Sequence, residues 1–555
     1  MKKINLILLI IVIFVIEGTS DGNCQDLTSE ASGKGGIIAA GPSASVKAGL
    51  QILVNGGNAV DAASAVIFNL AVSDYGLFCI GGEVPIMFYG DNDKKVIVFN
   101  GMGGAPLDQK AIEWYYSNGI PKKGIKSATV PSAVSTVLTA LELKGTMSFE
   151  QVITPTLSLL DSGKLSWHKN LAATLRKLIQ TEKNSPGSRE LKIRAARDRF
   201  YKGDIADELN NYYISSGGFL RKADLEAHKT IVEEAVSVNY RGLTVFKCNT
   251  WTQGPVLLQS LKLLENSDLK SMGFFSSDYI HITTEAMKLA YADRDKYYGD
   301  PSFVLVPLKQ LLSDQYAKIR FPLIDMKNAS HEIRPGDPVN MIAYDGPGEH
   351  WPGEKGTTTC VVIDKWGNVV AATPSANPEY GICESLGIAH NTRLSSLNTQ
   401  KGHPNSIEPC KRPRITLTPT IVLKNDKPFL AMSVAGGDMQ DQVSLQLLLD
   451  IAEFGMMPEE AIAAPRIYTH HIEDSFNPSP DPAMRAGKTA ALDIYKTNQA
   501  VIDDLSARGH IINIVKDAIA HPIVIFTDQS TGISYAATQK GKRCGAVIEL
   551  QKNQY

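Results

Sequence analysis

The chain lacks several features that would narrow its role at once. Its 56 Lys and Arg stand against 58 Asp and Glu over 555 residues, a formal net charge of -2, so no overall basic field exists to gather nucleic acid. The seven cysteines (Cys24, Cys79, Cys248, Cys360, Cys383, Cys410, Cys544) are scattered, odd in number and without a Cys-x-x-Cys pair. That argues against a zinc ribbon or a disulfide-built scaffold, and leaves room for one or two bridges in an exported protein. Beyond residue 16 no apolar run approaches the roughly 20 residues a membrane span needs. There are no internal repeats, and Gly35-Gly36 and Gly81-Gly82 lack the spacing of a nucleotide-binding loop.

What is present begins at the N-terminus. Lys2 and Lys3 precede the apolar run Ile4 to Ile16, and the small or polar Gly18-Thr19-Ser20 follows. Residues 1–20 read as a secretory signal or, uncleaved, an N-terminal anchor, which puts the mature chain outside the cytoplasm. Hydrophobic and charged fractions of 43% and 21% are those of an ordinary globular protein with a large core.

The periodicity alternates between two kinds. Short apolar runs read as strands at Gly36–Ala40, Val84–Tyr89, Val96–Phe99, Val236–Cys248, Thr420–Leu423, Phe429–Val434, His510–Val515 and Pro522–Phe526. Spacing near 3.6 predicts helices over Ser43–Val54, Val60–Leu70, Ala128–Leu143, Phe149–Ser162, from Thr252 to Leu264, and over Ser277–Tyr291; residues 107–235 read as mostly helical. A further helix is expected from Ala435-Gly436-Gly437-Asp438 through Phe454. Hairpins mixed with helix pairs point to an α+β protein with helices covering an antiparallel sheet.

Between Asp325 and Lys355 the pattern breaks into a loop rich in Pro and Gly. It runs into Gly356-Thr357-Thr358-Thr359 at the mouth of an apolar β-branched run, with Lys365-Trp366-Gly367-Asn368 as a turn before a second such run. Threonine is a strand former, so a Thr-rich strand entrance is usually only structural. A hydroxyl nucleophile, however, can use its own α-amine as base, since an amine pKa near 7.7 to 8.0 leaves a neutral fraction at pH 7. That needs a threonine that has become a chain terminus, and an accessible loop ending in glycine suits such a cut. Gly436-Gly437, where a strand meets a helix N-terminus, can offer consecutive N–H groups to a developing oxyanion.

Several motifs stand in one order: Gly56-Gly57-Asn58-Ala59-Val60-Asp61-Ala62-Ala63, Tyr240-Arg241-Gly242, Glu285-Ala286-Met287-Lys288-Leu289-Ala290-Tyr291-Ala292-Asp293-Arg294, Gly356-Thr357-Thr358 with Asp364-Lys365-Trp366-Gly367-Asn368, and Gly436-Gly437. In this the sequence resembles the γ-glutamyltranspeptidase family from about residue 35 into the 530s. The resemblance implies an αββα sandwich of the N-terminal-nucleophile hydrolase type, made as one precursor and cut between Gly356 and Thr357. A large subunit (21–356) and a small one (357–555) would together form one domain. It implies Thr357 as nucleophile and base, Gly436 and Gly437 as oxyanion donors, Ser375 where the family has a second threonine that hydrogen-bonds the nucleophile, and Asn377 as a substrate contact. The implied partners are a small-molecule amide and water or an amine acceptor. No cofactor, metal or nucleic acid is called for.

Where the family binds the γ-glutamyl carboxylate with arginine, this sequence has Met102. Ser395 stands in place of the aspartate that holds the substrate's α-amine, and Ile415-Thr416 in place of a serine pair. Losing such charge-assisted contacts removes roughly 1.5 to 3 kcal/mol of discrimination each. Arg393 and Arg414 are nearby cations that could bind an anionic substrate instead, or be solvated charges. The substrate could therefore be a γ-glutamyl amide or another small acyl amide such as a dicarboxylic monoamide; a binding protein that has lost turnover is the alternative of another class. His281 and Glu285 have metal-pair spacing but no third ligand, and neighbouring His470-His471 point to opposite faces if extended.

Overall fold

A strand covered on both faces favours apolar side chains throughout, and Gly36–Ala40 (Gly-Ile-Ile-Ala-Ala) is buried at every position. In the computed structural model, which describes residues 27–346, 357–376, 378, 381–476, 489–541 and 543–548, it pairs on one side with Cys360–Asp364 and on the other with Cys544–Val547. These open a seven-stranded sheet completed by Val369–Ala372, Ile86–Gly90, Lys95–Asn100 and Ile231–Glu234. A second seven-stranded sheet runs Glu30–Gly33, Ile533–Thr538, His521–Asp528, Lys427–Ala435, Thr420–Lys424, Leu243–Lys247, Val236–Tyr240. Every neighbouring pair in both sheets is antiparallel.

Alternation of side chains sorts these strands into layers. From the hairpin Cys360–Ala372, Val361, Ile363, Val369 and Ala371 join Ile421, Ala431, Ile523 and Ile525 in one apolar layer between the sheets. Cys360, Val362, Val370 and Ala372 face the other way, into a core shared with the helices Ala59–Ser73, Ala133–Lys144 and Phe149–Ser162. On the far side, Val422, Met432, Val434 and Val524 pack with Pro255–Leu264, Ser277–Tyr297 and Met439–Ala452. The result is the expected αββα sandwich.

The motifs that carry the resemblance turn out to be joints of this frame. Asn58 and Asp61 form a capping box at the start of Ala59–Ser73, and Asp61 also accepts from the Thr146 hydroxyl (2.6 Å). The Ala59 N–H donates to Asp364 (2.9 Å), whose carboxylate also closes the Lys365–Asn368 turn through the Trp366 and Asn368 amides. At Tyr240-Arg241-Gly242 the central φ angles are +49° and +85°, the primed-turn conformation that a tight hairpin needs; the Tyr240 hydroxyl and Arg241 both donate to Glu453 at 2.6 Å.

Several expectations needed correction. The helix expected over Ala128–Leu143 starts at Ala133, because Pro131 disfavours helical backbone at the residue before it. Ile231–Glu234, inside the stretch read as helical, is an edge strand. The helix after the glycine pair starts at Met439. Ile511–Val515 belongs to a separate small sheet, parallel to Ala491–Tyr495, which pairs with Arg466–Thr469. Glu30–Gly33, Ile533–Thr538 and Cys544–Val547 were not anticipated. Cys544 is disulfide-bonded, while Cys79, Cys248, Cys360, Cys383 and Cys410 are free thiols. No helix among the described residues is long and apolar enough to cross a membrane; the expected signal or anchor at 1–20 lies outside those residues.

His281 holds no metal-like partnership with Glu285. Its Nε2 faces the Asp325 carbonyl at 2.8 Å and its Nδ1 the His510 Nε2 at 2.9 Å. An Nε2–H on His281 donating to the carbonyl makes Nδ1 the acceptor, so His510 donates from Nε2 and its buried Nδ1 is left as an acceptor without a hydrogen bond among the described residues. Burial, then the nearby Lys288, His281, Arg508 and His331, pushes His510 down to about 2. A histidine that resists protonation only when folded contributes stability above its unfolded pKa of about 6.5 and loses it as pH falls. The gap in Tm between the intact chain and a His510→Asn variant is therefore expected to narrow from pH 7 to pH 5; a gap independent of pH would contradict this.

Candidate active site

Thr357 is the first described residue after the loop, and it is 2% exposed. The hairpin register pairs Cys360 with Ala372, and the Thr358 N–H donates to the Pro374 carbonyl (2.9 Å). Continuing that register sets Thr357 directly across from Ser375, on the face that looks between the sheets. Thr358 faces the helices, and its hydroxyl donates to Asp74 (2.6 Å) just past the end of Ala59–Ser73. Arg543 joins the two: its Nη2 donates to the Thr357 carbonyl (3.3 Å) and its Nη1 lies 3.5 Å from Asp74. The strand entrance is thus held from both sides while the Thr357 side chain points inward.

Across the gap stands Gln440, in the first turn of the helix Met439–Ala452. Oriented so that its amide nitrogen donates to the carbonyls of Thr416 (3.0 Å) and Val434 (3.1 Å), it turns its oxygen toward the Thr357 hydroxyl at 3.4 Å. Gln440 follows Gly436 and Gly437, whose φ angles of +153° and +56° lie where side chains are disfavoured. A Cβ at Gly436 would come 2.8 Å from the Ala520 Cβ. Behind the glycines Asp438 is locked: it accepts from Arg294 (2.8 Å) and from the Ser475 N–H (3.0 Å) and hydroxyl (2.7 Å). The backbone before this helix N-terminus is therefore held in place just ahead of Gln440, the side chain that reaches Thr357.

The remaining expected site residues are placed as follows. Ser375 accepts from Arg393 Nη2 (2.8 Å). Thr416 is fully buried and its hydroxyl makes no hydrogen bond among the described residues. The Ser395 hydroxyl is occupied by the Thr392 carbonyl (2.8 Å). Met102 is fully buried in the apolar layer between the sheets, together with Trp251, Ile415 and Leu417. Gly356 and Asn377 lie outside the described residues. Neither Arg393 nor Arg414 is a solvated charge: Arg393 is clamped by Glu83, and Arg414 lies 3.0 Å from Glu473 and 3.7 Å from Asp295. The two histidines at 470 and 471 diverge, His470 to Asp493 (2.9 Å) and His471 to the Glu332 carbonyl (3.1 Å).

Sequence reasoning missed Gln440, Arg543, Asp74 and Glu83. Glu83 carried a signal, being an acidic residue at the head of an apolar segment; Gln440, among Asp438, Asp441 and Gln442, carried none, nor did Asp74 and Arg543.

The family model described as Gamma-glutamyltranspeptidase matches residues 45–191 and 158–548. The glutathione hydrolase proenzyme of Escherichia coli is 31% identical over 497 residues, 81% of this chain and 83% of that one. The Acylase ACY 1 proenzyme of a Pseudomonas species is 30% identical over 490 residues, 80% and 85% of the two chains. Among solved structures, LmbA2991HD superposes with a TM-score of 0.83 at 29% identity, covering 95% of this chain and all of that one. With a family model spanning most of its length and relatives at about this identity across four-fifths of it, the chain belongs to the γ-glutamyltranspeptidase family and is an enzyme of that amidohydrolase and acyltransferase group.

Proposed function

We propose that the chain is made as a precursor that cuts itself between Gly356 and Thr357, and that the freed Thr357 transfers small acyl groups from amides to water or an amine. In the first step the Thr357 hydroxyl attacks the Gly356 carbonyl; the C–N bond breaks as the C–O bond forms, the nitrogen takes the hydroxyl proton, and water hydrolyses the ester. In turnover the Thr357 amine takes the proton from its own Oγ, which attacks the substrate carbonyl. The negative oxygen is received by N–H groups of the Gly436-Gly437 segment. The ammonium passes its proton to the departing amine, and water or a second amine then releases the acyl group from Oγ.

The observation that carries this reading is the inward-facing Thr357 hydroxyl, 3.4 Å from the Gln440 amide that follows the glycine pair and, by continuation of the hairpin register past the Thr358–Pro374 bond, opposite Ser375. The names of the relatives, a glutathione hydrolase and an acylase, support amide cleavage by hydrolysis, and the description of the family model, a transpeptidase, supports transfer. Ser395 favours the acylase side: its hydroxyl is no ionic partner for the α-amine that distinguishes a γ-glutamyl from a glutaryl group, while Met102, in apolar surroundings, offers no cation to the carboxylate both groups carry. Mass spectrometry of the small fragment after brief exposure to a γ-glutamyl anilide and to a glutaryl anilide tests both parts. An acyl adduct on Thr357 is expected, with the glutaryl substrate at least as effective. A fragment that never carries the acyl group would overturn the mechanism.

A further inference from the structure

The Arg393 contact was not anticipated from the motifs. Arg393 is 4% exposed and Glu83 fully buried. Arg393 Nε lies 2.7 Å and Nη2 2.5 Å from Glu83 Oε1, and the same Nη2 donates to Ser375 Oγ at 2.8 Å. The backbones are tied as well, since the Glu83 and Ser375 N–H groups each donate to the other's carbonyl (2.9 and 3.0 Å). The Phe476 ring lies over the guanidinium, 5.1 Å from its carbon, and shields it. A buried arginine held in this way has one fixed direction and little screening.

We propose that Arg393, fixed by Glu83, is a positioning residue that orients the Ser375 hydroxyl and sets the proton affinity of the Thr357 amine. The inference rests on the reading of Thr357 as a processed nucleophile. Because Nη2 donates into the Ser375 oxygen, the hydroxyl proton turns away from the guanidinium, and the register sets Thr357 across from it. A positive charge one hydroxyl away disfavours the ammonium form of Thr357 and so enlarges the neutral fraction that acts as base. Glu83 moderates that charge. Among the described residues the other charged groups around Thr357 are paired: Arg543 with Asp74, and, on the helix side, Asp438 with Arg294 and Asp441 with Lys247. Gln440 is uncharged.

The signs are opposite for the two partners, which gives the test. Arg393→Gln keeps an N–H for Ser375 but removes the charge, so the acidic limb of the kcat/KM profile on a chromogenic amide should move up by about half a unit to one unit. Glu83→Gln leaves the cation uncompensated and should move it down; Arg393→Lys should restore the original limb. A packing role alone would lower rates or Tm without opposed shifts. Limbs that stay put, or move the same way in both variants, overturn the inference. If Arg393→Gln remains uncut, the downward shift in Glu83→Gln and its absence in Arg393→Lys decide the matter. An unmodified chain that yields no fragment beginning at Thr357 instead overturns the reading of the nucleophile.

Discussion

Thr357→Ala is expected to leave one uncut chain and to reduce amide hydrolysis by roughly 10^4-fold or more, the scale on which removing a nucleophile acts. Both losses have one cause. The Oγ that would attack the Gly356 carbonyl is the Oγ that would attack the substrate, and without the first step no terminal amine exists to serve as base. The fold should survive, since the position is buried at a strand mouth and the hydroxyl's contact with Gln440 is long. Thr357→Ser keeps hydroxyl and amine and should be cut and active at a lower rate. A denaturing gel, the N-terminal sequence of the smaller fragment and a hydrolysis assay read all of this. Cleavage of the alanine variant at the same bond would remove Thr357 from the mechanism.

Gly436→Ala should rank next, with kcat lower by about 10^2 to 10^3, the cost of losing one oxyanion donor. The reasoning is local. At φ +153° a side chain is strained, and the new Cβ would sit 2.8 Å from the Ala520 Cβ, so the backbone must turn and carry its N–H groups off target. Asp438, tied to Arg294 and Ser475, keeps the following helix from moving to compensate. Substrate affinity should change less than kcat, because the donors meet charge that develops only on the way to the tetrahedral state. Equal losses in kcat and in binding of a substrate analogue would show that the glycine serves packing alone.

How much of this was legible beforehand depended on what kind of signal each element carries. Gly36–Ala40 and Phe149–Ser162 were readable to within a residue because an all-apolar strand and an apolar spacing near 3.6 are local facts. Ile533–Thr538 and Cys544–Val547 were not, because short runs of small residues become strands only when a partner strand claims them. In the site, Thr357 and the glycine pair could be found from chain order. Their neighbours could not: Glu83, Arg393 and Ser375 are brought together by bridges between segments some 300 residues apart, and no periodicity reports that. The same holds for Arg414, which looked like surface charge and proved to be buried beside Glu473.

The order of strands also has a consequence for synthesis. Ala40 pairs with Cys360, 320 residues further along, and on its other side with Cys544 later still. At about 5 to 20 residues per second, the strand Gly-Ile-Ile-Ala-Ala has left the ribosome for roughly 15 to 60 seconds before its first neighbour exists. During that interval both of its edges and the face turned toward the second sheet await partners, while the helices Ser43–Val54 and Ala59–Ser73 can already cover the other, so synthesis of the segment after residue 357 sets when the first sheet can close around this strand.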